Sequence, residues 1–125
     1  MEFVSFEIAK KLKEKGYPQV KKNTIAMYDE NGNWYSLIDT FDYFKYSFED
    51  FKEHGYICPT ISQVLKWLRD NKNICVEINC NYTDYFPTVR LIDYHQTDYV
   101  SGCDIYKTYE KAELAGIEYV LDNLI

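Results

Sequence analysis

The sequence predicts an α+β domain: an antiparallel sheet built from two hairpins, with about three main helices packed on one face. Three observations carry that expectation. Two apolar stretches, Thr24 to Ile38 and Ile74 to Tyr94, each hold a turn signal near the middle, Asn31-Gly32 and Thr83-Asp84. Three others, beginning near Phe6, Ile61 and Tyr109, space their apolar residues at helical intervals. Strands come in adjacent pairs with helices between the pairs, which favours antiparallel pairing. The chain has 125 residues, so one globular domain spanning 1–125 is expected. A chain of this size buries roughly 65% of its unfolded surface and needs neither disulfide nor metal to hold together.

Ser5 reads as the N-cap of a helix from Phe6 to Lys15, closed by Gly16 at the C′ position. Ile8, Ala9 and Leu12 form its apolar stripe, and lysines fill much of the other side. Tyr17-Pro18 then forces an extended or turning chain. Asn31-Gly32 is the strongest short hairpin signal, because both central residues of that turn need positive φ. It pairs Tyr28 with Tyr35, Ala26 with Leu37 and Ile25 with Ile38. Ser47 with Asp50 marks a short helix, Phe48 to His54, stopped by Gly55. Thr60-Ile61-Ser62-Gln63 fits a capping box, and the helix after it carries Ile61, Val64, Leu65 and Leu68 on one side to about Asn71.

Ile74, Val76, Ile78 and Cys80 alternate with Cys75, Glu77 and Asn79, the period of a half-buried strand, which places Cys80 on the core side. A return strand, Phe86 to Tyr94, follows the turn. Centred on Thr83-Asp84, that turn pairs Ile78 with Val89, Val76 with Leu91 and Glu77 with Arg90. Pro87 must sit where the ladder needs no donor. From His95 to Lys107 the chain reads as loop, with a short strand at Asp104 to Tyr106. Thr108 caps a last helix running to Ile125. Lys111, Glu118 and Asp122 share its one polar stripe, and apolar residues, Tyr109 and Tyr119 among them, take most of the rest, so this helix is expected to be largely buried. Glu113 projects into its apolar arc, where it either lies at the wet end of the arc or meets a lysine, or else is a partly buried acid with a raised pKa.

Composition removes several function classes. The chain is 46% hydrophobic and 27% charged, which is ordinary for a globular protein. Its net charge of −6 and pI near 4.9 oppose direct binding to nucleic acid. The cluster Lys10, Lys11, Lys13, Lys15, Lys21 and Lys22 is interrupted by Glu14 and reads as a solvated helix face. No apolar run approaches the roughly 20 residues that cross a bilayer, and the first residues do not read as a signal peptide, so no membrane partner and a cytoplasmic location are expected. The four cysteines are then expected as free thiols.

No cysteine or histidine spacing matches a metal site, and no phosphate loop, dinucleotide fingerprint or nucleophile elbow is present, so no metal, cofactor or catalytic residue is assigned. His54 with Cys58, and His95 with Cys103, are the only sequence-near thiol–imidazole pairs, and neither comes with a known nucleophile motif. Tyrosine is the outlier, with 13 in the chain. Its rigid, amphipathic ring suits interfaces. Tyr43, Tyr46, Tyr82, Tyr85, Tyr94 and Tyr99 fall in turns, strand ends or irregular stretches beside acids and amides. They either cap the ends of a small core or form an exposed binding surface. Tyr43, Tyr46, Tyr85, Tyr94, His95 and Tyr99 are the candidate binding residues.

The segments Cys58 to Arg69 and Tyr109 to Ile117, with Tyr28-Asp29-Glu30-Asn31-Gly32, resemble stretches of small proteins of gut Bacteroides-type bacteria and their phages or prophages. The resemblance implies an accessory or mobile-element protein and carries no activity. The first expectation is therefore a non-enzymatic interaction protein whose partner is another protein, using a tyrosine-rich acidic surface. The alternatives are an acidic mimic of nucleic acid that inhibits a DNA-binding enzyme, and a small thiol-dependent enzyme. The sequence contains no signal for the oligomeric state.

Overall fold

The hydroxyl of Ser5 accepts from the Ile8 N–H at 3.3 Å, which places the first helix where the capping signal lies. In the computed structural model, residues 2–20, 22–36, 53–92, 96–99 and 105–125 are described, 96–99 by backbone alone. The fold is α+β. Two compact units are distinguished, Phe3–Thr60 and Ile61–Ile125, the second including Glu2. The two hairpins fall in different units, and each belongs to its own three-stranded antiparallel sheet.

In the first unit, α1 (Phe6–Glu14) buries Ile8, Ala9 and Leu12, the predicted stripe, and Gly16 follows with φ +94°. Strands β1 (Ala26–Tyr28), β2 (Trp34–Ser36) and β3 (Tyr56–Ile57) pair in the order β2-β1-β3, and α1 packs on β3. The sequence had no strand at Tyr56–Ile57. Those two residues have no alternation to announce them, and β1 recruits them by pairing Met27 with Ile57 and Tyr28 with Tyr56. Of the helix expected from Phe48 to His54, Glu53 and His54 are described and are helical. The rest lies outside the described residues.

The register of the first hairpin differs from the expected one by one residue. Tyr28 pairs with Trp34, Met27 with Tyr35 and Ala26 with Ser36. The reason is the Asp29 side chain. Its carboxylate accepts from the Asn31 and Asn33 backbone N–H groups, both at 2.9 Å, and the Asp29 N–H donates to the Asn33 carbonyl at 2.9 Å. These bonds close a longer loop than an Asn-Gly turn needs. Only Gly32 of the central pair takes positive φ, at +91°.

In the second unit, α2 (Ile61–Lys72) starts directly after Thr60 and ends at Asn73, whose φ of +55° is the left-handed stop that asparagine tolerates. Ile61, Val64 and Leu68 are its buried residues. Strands β4 (Ile74–Cys80) and β5 (Tyr85–Leu91) form the second hairpin, and β6 (Gln96–Tyr99) adds to β5. The loop expected from His95 onward thus contains a strand. Gln96-Thr97-Asp98-Tyr99 has no apolar alternation, and pairing with β5 alone defines it. Of the short strand expected from Asp104 to Tyr106, a single bridge from Tyr106 to Tyr85 is described.

Here the register differs by two. Ile78 faces Pro87, Val76 faces Val89 and Glu77 faces Thr88, because the turn spans Asn81 to Asp84 and closes on the pair Cys80–Tyr85. A slip of two leaves every side chain on its own face. The Glu77–Arg90 ion pair therefore survives as a diagonal contact, at 3.3 Å. Cys80 is exposed rather than in the core, since it ends the strand at the turn. Tyr85 exchanges both backbone bonds with Tyr106, so its N–H points away from β4, and that of every second residue does too. Residue 87 has this orientation, and the β6 ladder starts only at Thr88. Pro87 therefore leaves no donor missing.

The last helix, α3 (Tyr109–Asn123), is capped by Thr108, whose hydroxyl accepts from the Lys111 N–H at 3.1 Å. Ala112, Gly116, Ile117, Val120 and Leu121 are buried, while Lys111, Glu118 and Asp122 are exposed as a stripe. Burying each branched side chain contributes about 1.5–3 kcal/mol. The helix lies very close to the sheet at Gly116, where a Cβ would stand 2.5 Å from Val76 Cγ1 and 3.2 Å from Pro87 Cβ. Tyr109 is not core: it is 47% exposed, because it starts the helix beyond the end of the sheet it covers. Tyr119 is half-buried. Among the described residues no helix is long and apolar enough to cross a membrane.

Candidate functional site

The turn joining β4 to β5 holds itself rigid with side chains. Asn81 Oδ1 accepts from the Thr83 N–H at 3.1 Å and the Asp84 N–H at 2.9 Å, and the Asn81 N–H donates to the Asp84 carbonyl at 3.0 Å. This is the self-bonded turn that asparagine favours. Asp84 is buried, and its carboxylate accepts from the Thr83 hydroxyl at 2.9 Å and from Lys107 Nζ at 2.6 Å. The Lys107 ammonium, followed by the Thr83 hydroxyl, holds the Asp84 carboxyl below the usual carboxylate range. The bond also ties the segment before α3 to the turn. Tyr106 continues that link with two backbone bonds to Tyr85, of 2.8 and 2.7 Å.

On this frame the side chain of Tyr82 stands free, with a relative exposure of 105%. Ile105, 53% exposed, and Tyr109, 47% exposed, belong to the same end of the unit, since Tyr106 bridges to Tyr85 and the Tyr85 and Tyr109 rings meet edge to face at 6.0 Å. Rigid aromatic groups displayed without cover are the usual anchors of protein–protein contacts. Just beyond Tyr109, Glu110 and Glu113 sit one turn apart on α3. Glu113 is half-buried and has no ion-pair partner among the described residues. Burial pushes its carboxyl above the ordinary range, and the Glu110 charge adds to the shift.

Of the candidate residues, Tyr85 is described in full. Its half-buried ring packs on Tyr109 and supports the exposed groups. Tyr99 is placed in β6 opposite Thr88 by its backbone. Tyr43, Tyr46, Tyr94 and His95 lie outside the described residues. Tyr82, Ile105, Lys107 and Tyr109 were not among the candidate binding residues. The placement of Ile105, Lys107 and Tyr109 depends on the bridge between residues 85 and 106, and a short strand read at Asp104 to Tyr106 does not name its partner. The run Asn81-Tyr82-Thr83-Asp84, by contrast, does carry a signal: an asparagine that opens a short polar run can close a turn on the backbone N–H groups after it.

The first unit gathers aromatics too and engages most of them in ring contacts, although Trp34 stays 45% exposed. Phe6 meets Tyr28 at 5.5 Å and Tyr56 at 5.6 Å, and Phe3 meets Trp34 at 5.4 Å. Lys10 and Lys13 each stand 5.1 Å from a ring centre, those of Phe6 and Tyr56. Beneath them, the Tyr28 hydroxyl and the Cys58 thiol both donate to the Val4 carbonyl, at 2.8 and 3.5 Å. Burial pushes the Cys58 thiol up to about 11, and its hydrogen bonds with Tyr28 and Trp34 offset only part of that. A thiol held neutral is a poor nucleophile. His54 is exposed and lies 3.9 Å from Glu53, so the pairing of His54 with Cys58 has no support in the geometry. His95 and Cys103 lie outside the described residues.

Among the described residues no three histidine, cysteine or acidic side chains are grouped to hold a metal ion. Four acids, Glu7, Asp70, Glu77 and Asp84, lie within ion-pair distance of Lys10, Lys66, Arg90 and Lys107. Acids neutralised within their own chain are a poor imitation of a phosphate backbone. No protein-family model, curated protein or solved structure matches this chain.

Proposed function

We propose that this chain is a non-enzymatic interaction protein that binds another protein through the end of its second unit, with Tyr82 as the anchor. The full exposure of Tyr82 on a turn closed by its own hydrogen bonds carries the reading. An exposed ring on a flexible loop loses backbone freedom when it binds. Here that cost is met during folding, so contact with a partner keeps more of its free energy. Tyr109, whose ring meets that of Tyr85, adds a second exposed ring at this end of the unit, and Glu110 and Glu113 follow it on α3. The neutral, buried Cys58 thiol and the internally paired acids support this reading over a thiol enzyme or a nucleic-acid mimic. A cytoplasmic setting and a mobile-element origin belong to the same proposal and rest on the sequence alone.

The test is a paired capture. Tagged protein and its Tyr82→Ala form are exposed to lysate of source cells, and retained proteins are compared. A protein held by the first and lost by the second supports the reading. Retention that ignores Tyr82→Ala overturns it.

A further inference from the structure

We propose that β4 pairs antiparallel with β4 of a second copy of this chain, joining two second units through one continuous sheet. The inference does not rest on Tyr82 and concerns another part of the unit. β4 is an edge strand in the order β4-β5-β6, and among the described residues only β5 pairs with it. Hydrogen bonds at its two ends fix which backbone groups face outward. The Ile92 N–H donates to the Asn73 carbonyl and the Asn81 N–H to the Asp84 carbonyl, so residues 73 and 81 face the returning chain. The register runs unbroken between them. Cys75, Glu77 and Asn79 therefore face β5 as well, while Val76, Ile78 and Cys80 point their N–H and C=O groups away from it. None of these outward groups has a backbone partner among the described residues.

The same edge leaves apolar side chains open. Val76 faces Val89 and Ile78 faces Pro87. Val89 and Pro87 are buried, whereas Val76 and Ile78, one strand further out, stay half-exposed. Nor is the edge protected. Sheet edges are ordinarily blunted by shortness, a bulge, proline or lysine. The outer strands of the first sheet, β2 and β3, have only three and two residues. β4 has seven residues, all in register and none of them proline or lysine, and its one charge, Glu77, pairs with Arg90 at 3.3 Å. Such an edge accepts an extended strand with apolar residues on one face, and β4 is itself that strand. Antiparallel pairing about a two-fold axis keeps matching faces together. With the axis at Ile78, Ile78 meets its own copy, Val76 meets Cys80, and Glu77 meets Asn79 instead of a second Glu77. All three outward donors of each copy are then satisfied. This register also uses the open part of the strand, since exposure rises from buried Ile74 to exposed Asn79 and Cys80.

The experiment uses the full chain. Sedimentation velocity from about 10 µM to 1 mM follows association, and residue-resolved hydrogen exchange by NMR follows the edge of the unaltered protein. The expected result is a concentration-dependent dimer. In it the Val76, Ile78 and Cys80 amides exchange at least about tenfold slower than in dilute protein. The amides of Cys75, Glu77 and Asn79, already bonded to β5, should be slow in both. Ile78→Pro is the matching variant. The Ile78 N–H points outward, so proline there removes no bond of the chain's own ladder, yet it should weaken association at least about tenfold. Tyr82→Ala should leave the dimer intact. A chain that stays monomeric over the whole range overturns the inference. So does a dimer whose three outward amides exchange as in dilute protein, or one that ignores Ile78→Pro. The exchange measurement decides the matter even where Ile78→Pro fails to fold. Association lost in Tyr82→Ala but kept in Ile78→Pro also overturns it, by moving the self-contact to the turn. The lysate capture judges the Tyr82 reading separately.

Discussion

In the first hairpin, the Asp29 carboxylate collects the N–H groups of Asn31 and Asn33, and in the second, the Asn81 amide oxygen collects those of Thr83 and Asp84. The device is the same, a short polar side chain closing the turn that it begins. The outcomes are opposite. At the first tip Gly32 lies against another element, since its Cβ would stand 3.0 Å from Phe6 Cδ2, while Glu30, Asn31 and Asn33 around it are exposed polar residues. The second tip displays Tyr82 with nothing against it. A rigid turn under an aromatic ring serves packing, whereas a rigid turn that lifts an aromatic ring into water has a surface to offer. Turn chemistry alone does not separate the two cases. What lies over the tip does.

The largest expected effect breaks the support behind the second tip. Gly116→Val puts carbon atoms into Val76 and Pro87, backbone-anchored groups that cannot swing aside, and should destabilise the fold by about 3 kcal/mol in urea unfolding. A loss below about 1 kcal/mol, the scale of the helix-propensity gain on leaving glycine, would mean that α3 does not press on the sheet there.

Gly32→Ala probes the covered tip. It combines φ of +91° with a tight approach to Phe6, and a loss of about 1–2 kcal/mol is expected. Calorimetry checks it, and an unchanged melting temperature would show that Phe6 moves away freely.

Acid sharpens the comparison further. For Asp29, burial pushes the carboxyl up, but the bonds from Asn33, Asn31 and Tyr35 outweigh it and hold the group low. Asp84 is held low by Lys107 and Thr83. Depressed carboxyls contribute stability above their unfolded value of about 3.9, and that contribution is lost as pH falls through their folded values. The melting temperature should therefore fall below about pH 4, and it should fall less steeply in Asp84→Asn. Parallel curves for the two proteins would show that the Lys107 link adds no stability.

The smallest effect is the most telling. Tyr82→Ala should leave stability within about 0.5 kcal/mol, since the ring touches nothing, yet remove partner binding. A clear fall in stability would mean that the ring packs in solution and is not an open anchor.

Much of the fold was legible in the residues. Ser5 and Thr108 cap their helices as their side chains allow, Gly16 follows the first of them with positive φ, and Lys111, Glu118 and Asp122 mark the wet side of α3. These are local effects, complete within one or two turns of chain. The candidate site was legible only in outline. Tyrosine excess pointed to exposed rings, but the candidate Tyr85 is half-buried against Tyr109, while Tyr82 and Tyr109 are exposed.

By itself the sequence determined the α+β class, the helix starts and the existence of both hairpins, because caps, periodicity and turn residues act over short distances. Only the tertiary structure decided the registers, the strands Tyr56–Ile57 and Gln96–Tyr99, and which tyrosine meets water. A register depends on which backbone groups a turn side chain captures, and a two-residue strand depends on the neighbour that pairs with it. Exposure depends on everything else that folds nearby. Each of these is a relation between distant parts of the chain, and a single stretch of residues contains only one side of it.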